Sequence, residues 1–183
     1  VNRLLKNNKE RGFTSIEIYK GEITRLDDKV DAIVVPANVK LHMDTGVAAL
    51  VKMKGGDEIE SNVGIYAPAN FGDAIVSIPG KLKVKNIIHA VINDENNRTD
   101  KEKIVHALKN TLKAVSDLNL KRIAIPALGL GVGGMPFEES AKIMHDTLYE
   151  FLTSQEPNKR PEKIYITVYS DEAKKAFEKS FSI

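Results

Sequence analysis

An α/β layered domain is what this sequence predicts, on three observations. Short β-branched runs alternate along the chain with longer stretches of helical periodicity. Several of those runs are apolar on both faces, as central strands of a mostly parallel sheet are. A glycine-rich bend, Leu128 to Gly134, joins one such run directly to a helix pattern.

The elements follow in order. Residues 1–12 are basic and polar, with Arg3, Lys6, Lys9 and Arg11, and read as a solvated arm or edge element. A polyanion contact is the sharper alternative for this stretch. Residues 13–183 form the expected domain. "SIEIYKG" alternates Ile16 and Ile18 with Glu17 and Tyr19, the pattern of a half-covered strand. Further strands are predicted at Ala32–Val35, Asn86–Val91, Arg122–Ala127 and Lys163–Tyr169, and another across Asp73–Gly80, closed by Pro79-Gly80. One helix is expected across "TGVAALVKMK", ending at Gly55-Gly56. From Asp100 to Leu118 the stripe Ile104, Leu108, Leu112, Val115 and Leu118 has helical spacing. Thr99 with Glu102 three residues on gives that helix a capping-box start. A second stripe, Phe137, Ala141, Met144, Leu148 and Phe151, predicts a helix from Pro136 to Leu152, with Pro136 at the first helical position. A last helix is expected from Asp171 to Phe181, and Glu156–Pro161 reads as a loop.

Composition excludes several classes of function. A chain of 183 residues with 42% hydrophobic and 28% charged residues suits one domain with a packed core. The net charge of +2 does not announce a nucleic-acid binder. No cysteine is present, which removes disulfides, thiol nucleophiles and thiolate metal sites and suits a cytoplasmic protein. No apolar run approaches the ~20 residues a membrane-spanning helix needs, and no secretory signal stands out. The histidines, His42, His89, His106 and His145, are scattered without ligand spacing, so no metal is expected. No cofactor is expected either.

The glycine-rich bend carries the chemistry. Strand, glycine loop and helix in that order place loop N–H groups and a helix N-terminus at one sheet edge, and both attract anions. Four of the six residues from Gly129 to Gly134 are glycine, more than a tight turn needs for steric reasons alone. The loop Leu128, Gly129, Leu130, Gly131, Val132, Gly133, Gly134 therefore reads as a phosphate cradle. Gly129, Gly131 and Gly134 match G-x-G-x-x-G, but a dinucleotide fold would need a second half-sheet for which the chain has no room. A P-loop fails too, because no Lys-Ser/Thr follows the glycines.

Taken with "GEIT" (Gly21 to Thr24), "VDAIVVPANVKLHMDTGVAALVKMKGG" (Val30 to Gly56), "NIIHAV" and "VYSDEAKKAFEKSF" (Val168 to Phe181), this loop gives an ordered set that resembles the macro domain, the ADP-ribose-binding module. The resemblance runs from about Ser15 to Phe181. It implies a three-layer α/β/α fold with a mixed, mostly parallel central sheet and a ligand cleft at the C-terminal ends of the strands. It implies that Glu22, with Ile23 beside it, meets the adenine, Glu standing where the family has Asp. Tyr169 would pack on the adenine ring, the alternative being ordinary strand packing. Asn38 would bond the distal ribose, the alternative being a turn residue after a strand; Val35 stands where the family has a further asparagine. The family's G-G-G-V reads Asp44-Thr45-Gly46-Val47 here, so the N–H groups of Gly46, Val47 and Ala48 would face the distal ribose and diphosphate. Asp44 is the odd residue, since a carboxylate 4 Å from a pyrophosphate is repelled by about 4 kcal/mol at an effective dielectric near 20. Asp44 then turns outward, acts as a base on a water, or serves as a cap or turn residue, the role favoured here. Gly133 stands where many members carry an aromatic.

The resemblance implies two functions of different class. One is a domain that binds ADP-ribose, free or on an ADP-ribosylated protein. The other is a hydrolase of ADP-ribosyl derivatives such as O-acetyl-ADP-ribose, ADP-ribose 1''-phosphate or mono-ADP-ribosylated protein, with Asn38 and Asp44 as its catalytic candidates and His42 as a substitute. Ala48, where hydrolase members often carry an acidic residue, and Val35 both lower the second reading. Membrane and nucleic acid are not expected partners.

Overall fold

The structure, a computed structural model, describes residues 2–3, 12–132 and 134–183, the first pair by backbone only. Lys6, Lys9, Arg11 and Gly133 lie outside the described residues.

Among the described residues, seven strands form one sheet: β1 (Asn2–Arg3), β2 (Ser15–Lys20), β3 (Ala32–Asn38), β4 (Ala74–Ser77), β5 (Asn86–Asn93), β6 (Arg122–Pro126) and β7 (Lys163–Val168). Their spatial order is β1-β2-β7-β6-β3-β5-β4. The five inner strands are parallel, and β1 and β4 run antiparallel at the two edges. The helices are α1 (Gly46–Gly55), α2 (Glu58–Gly64), α3 (Lys101–Asp117), α4 (Phe137–Ser154) and α5 (Asp171–Ser180), with 3-10 turns at Ile23–Leu26 and Pro157–Lys159.

Alternation along the central strands sorts the core into two layers. In β3, Ala32 and Val34 face α3, α4 and α5, while Ile33 and Val35 face α1, α2 and the first 3-10 turn. In β6, Ile123 and Ile125 join the first layer and Ala124 the second. Residues of both parities are buried, so these strands carry continuous apolar runs rather than a half-polar pattern. Helices on both faces of a mostly parallel sheet make the α/β/α arrangement. His89, on β5 and buried, meets the Ser77 hydroxyl of β4 at 2.7 Å, which accounts for a polar ring in that position.

The sheet opens at one end. At the N-terminal edge Asp31 ties β3 to β6: its Oδ2 accepts the N–H groups of Lys121 at 2.8 Å and Arg122 at 3.0 Å. Strands β3 and β6 then pair only through Ala32↔Ile123 and Ile33↔Ala124 before they separate. The separation explains how β3 reaches Asn38, three residues past its expected end at Val35, with Pro36 inside it. Proline disrupts a central strand because it cannot donate to a ladder, but beyond Ile33 there is no ladder to β6 to disrupt.

Two local expectations need correction, and one helix is additional to them. Asp100, not Thr99, caps α3: its carboxylate accepts the Lys103 N–H at 3.0 Å, so the helix starts one residue later. Pro136 holds the cap position of α4 rather than its first turn. Helix α2 was not foreseen; seven residues with only Ile59 and Val63 buried leave too short a stripe to read.

A backbone-walled cleft at the strand ends

Between the diverging ends of β3 and β6 lies a cleft of about 1180 Å³. Pro36 and Pro126 are among its lining residues, with Ile92, Asn93 and Thr167 from the flanking strands. Two bends form its walls. The first, Thr45 to Ala48, is the start of α1; the second comprises Gly129 to Val132 with Gly134 and leads into α4.

The conformation of each bend follows from its glycines. Gly46 has φ +57 and opens α1, a left-handed step that a side chain at this position would resist. Gly129 has φ +84, and a Cβ there would meet Ile104 Cδ1 and Met135 Cε at 2.8 Å, so this glycine is required by both angle and space. The second bend closes on itself where Met135 N–H donates to Gly129 O at 3.0 Å. Its root is pinned by the Ser140 hydroxyl, which donates to Leu128 O at 2.5 Å. Leu128 is buried and anchors the loop rather than lining the cleft.

Four helices begin around this opening, and they are not capped alike. Asp100 caps α3, and the Ser170 hydroxyl caps α5 by accepting the Ala173 N–H at 3.1 Å. The helices that spring from the two bends have no side-chain cap: Thr45 makes no such bond for α1, nor does Pro136 for α4. Their first-turn N–H groups thus have the least side-chain competition where the cleft passes them, and an anion satisfies such groups directly.

The predicted site residues divide clearly. Asn38, Gly46, Val47, Ala48, Gly129, Leu130, Gly131, Val132, Gly134 and Tyr169 line the one cleft. Asn38 also organises a turn: its Oδ1 accepts Lys40 N–H at 3.1 Å and His42 N–H at 3.3 Å, while its Nδ2 donates to His42 O at 3.3 Å. The turn role and a place on the cleft are therefore combined in one side chain, which keeps a second amide hydrogen for a ligand. Tyr169 is 60% exposed, which rules out the strand-packing alternative. Its hydroxyl is held above its usual range, first by partial burial and then by the nearby Glu22 carboxylate.

Glu22 and Ile23 do not line the cleft. Ile23 is fully buried in the core, and Glu22 is paired with Arg25 at 3.9 Å. Asp44 is also outside the lining residues, with a side chain 66% exposed, 3.9 Å from His42 Nδ1 and 4.0 Å from Lys52 Nζ. Thr45, not Asp44, holds the cap position of α1, and that helix start receives no side-chain cap. His42 does line the cleft. Val35 is fully buried, in the layer on the α1 and α2 side of the sheet.

Sequence reasoning missed a whole side of the opening. Asn93, at the end of β5, and the segment from Asn97 to Lys101, leading into α3, face the same cleft. Arg98 and Lys101 bring positive charge, and Asp100 and Glu139 bring negative charge. The available signal was position: this polar segment follows a buried parallel strand next to β3, whose end carries Asn38. Among the described residues no group of three or more His, Asp or Glu stands together as metal ligands would, and no helix is long and apolar enough to cross a membrane.

Fold and cleft together define an α/β/α domain with a main-chain-walled pocket at the carboxyl ends of its strands. The chain belongs to the macro domain family, whose profile matches residues 34–144. An uncharacterized protein of Aquifex aeolicus is 38% identical over 165 residues, covering 90% of this chain and 96% of its own. One of Thermotoga maritima is 34% identical over 174 residues, but the chain spans only 28% of that relative's length. Among solved structures, an Oceanobacillus iheyensis macrodomain variant with ADPR superposes with a TM-score of 0.80 at 22% identity, covering 97% of this chain and 96% of that one. A Trypanosoma brucei macrodomain in complex with ADP-ribose gives 0.78 at 19% identity, covering 90% and 68%.

Proposed function

We propose that this chain binds ADP-ribose or an ADP-ribosyl derivative, with the diphosphate between the bends at Gly46–Ala48 and at Gly129–Val132 with Gly134. The observation that carries this reading is the pairing of two uncapped helix starts across one cleft, while α3 and α5 at the same sheet edge cap themselves. Tyr169 at one end supplies an exposed ring for adenine, and Asn38 at the β3 end supplies an amide for a ribose diol. The structures with ADPR and ADP-ribose bound to related folds support the choice of ligand. Glu22 acts in this reading through its charge beside Tyr169 rather than as a cleft wall.

Binding without turnover is the reading we favour over hydrolysis. Asp44 is not among the residues that line the cleft, Ala48 brings no acid to the first bend, and Val35 is a fully buried apolar residue. In this proposal residues 13–183 are the binding unit, to which Asn2–Arg3 add an edge strand, and the protein works in the cytoplasm on free or protein-linked ADP-ribose. Calorimetric titration with ADP-ribose, ADP and a single-stranded RNA tests it. Saturable binding of the first two and none of the third is expected. Failure of ADP-ribose to bind would overturn it, and turnover of an ADP-ribosyl ester would move it to the hydrolase class.

A further inference from the structure

The first bend lacks two of the glycines that the resemblance would place there, yet it turns tightly into α1. What holds it lies outside the cleft. Glu60, on α2, uses its two carboxylate oxygens in different directions: Oε2 accepts the Met43 N–H at 2.5 Å, and Oε1 meets Lys52 Nζ of α1 at 2.9 Å. Lys52 also stands 4.0 Å from the Asp44 carboxylate, which gives the bend a second charge contact to α1. At the other end of the bend, Asn38 gathers the N–H groups of Lys40 and His42. The segment from Lys40 to Thr45 is thus tied at both ends by side-chain acceptors, one of them charged. Charge-assisted hydrogen bonds of this kind are shorter and stronger than neutral ones.

We propose that Glu60 is a positioning residue for the cleft: by holding Met43 and Lys52 together it fixes residues 42–45 so that the first turn of α1 presents its N–H groups to a bound anion. This rests on the reading of the cleft as a diphosphate site. Glu60 does not touch the ligand. Its effect reaches the ligand only through the aim of Gly46, Val47 and Ala48. Displacing donors by a fraction of an ångström weakens them, because hydrogen bonds fall off steeply with angle and distance. In place of conformationally free glycines, the bend carries Asp44 and Thr45, and the carboxylate supplies the constraint that selects one conformation.

The test uses the full chain and the variants Glu60→Ala and Glu60→Gln, with Asp31→Ala as a control destabilised at the opposite sheet edge. Affinities for ADP-ribose, ADP and adenosine are measured by calorimetry well below each variant's melting temperature, and the Met43 amide is followed by ¹H–¹⁵N NMR. Glu60→Ala should weaken ADP-ribose and ADP about tenfold or more while leaving adenosine unchanged, and should move the Met43 amide proton upfield. Glu60→Gln keeps an oxygen for Met43 and should fall between. Asp31→Ala should melt earlier with wild-type affinity. Wild-type affinity in Glu60→Ala, or an equal loss for adenosine and ADP, would overturn the positioning role. Absence of ADP-ribose and ADP binding in the wild-type chain would instead overturn the cleft reading on which it rests.

Discussion

Placing one carboxylate in the cleft, at Gly131, gives the sharpest test of the diphosphate site. A Cβ built at Gly131 finds no atom within 4 Å, and the residue does not need a left-handed angle, so Gly131→Glu leaves the fold intact. Surface substitutions of this kind change stability by about ±0.5 kcal/mol. Gly131 lines the cleft, so the substitution adds a carboxylate to its wall. At about 5 Å from a phosphate oxygen and an effective dielectric near 20, one pair of unit charges repels by about 3 kcal/mol, on the order of 100-fold in affinity. Gly131→Gln matches the volume without the charge and should lose far less. Calorimetry with ADP-ribose at low and moderate salt, beside thermal melts, measures both. The electrostatic component should shrink as salt rises, because the cleft is open to solvent. Equal affinities for the Glu and Gln variants would refute the reasoning, since the diphosphate would then lie elsewhere.

Other perturbations probe other parts of the molecule. Tyr169→Ala should weaken adenine-bearing ligands by roughly 1–3 kcal/mol and leave melting unchanged, with ADP-ribose against inorganic pyrophosphate as the comparison in competition assays. Burial lowers the His89 pKa from 6.5 to about 4, so the ring stays neutral in the folded chain while it charges in the unfolded one. Stability is therefore complete above the unfolded value and declines as pH falls from 6.5 toward 4, by about 3 kcal/mol for this group; urea titrations of wild type and His89→Gln should differ in that slope. Asp31→Ala leaves the Lys121 and Arg122 N–H groups without their acceptor and should cost about 1–3 kcal/mol in chemical denaturation. Burial alone would raise the Asp31 carboxyl, but the N–H groups of Arg122 and Lys121, with Lys85 nearby, outweigh it and hold the pKa below 3.8. Its contribution is thus present above the usual carboxylate pKa and is lost as pH falls through the lower folded value.

Much of the fold was legible because burial on both faces leaves a mark in composition. Runs such as Ile87-Ile88 and Ile123-Ala124-Ile125 admit few residue types, and the stripes of α3 and α4 repeat for several turns. Helix α2 was hidden, because seven residues offer barely two turns of periodicity. Strand β3 runs past its expected end at Val35 and through Pro36, because beyond Ile33 it has no ladder to β6 for a proline to disrupt. Within the site, the glycines of the second bend were visible because backbone exposure demands them. Glu60 was not: it acts across seventeen residues on Met43, and nothing in its own neighbourhood marks it. The Asn97–Lys101 segment was equally silent, since polar loop residues acquire meaning only from the strand they follow.

The fork between β3 and β6 has a consequence for timing. Two strands with amide donors along their facing edges would zip shut, and a visiting molecule would have to prise them apart. The β3–β6 ladder ends at Ile33↔Ala124, ahead of Pro36 and Pro126, and these prolines, which carry no amide hydrogen, line a gap that stands open in advance. None of the association free energy goes into opening it. Uptake should follow a single kinetic phase, with occupancy tracking the concentration of the visitor, the behaviour of a gauge rather than a latch.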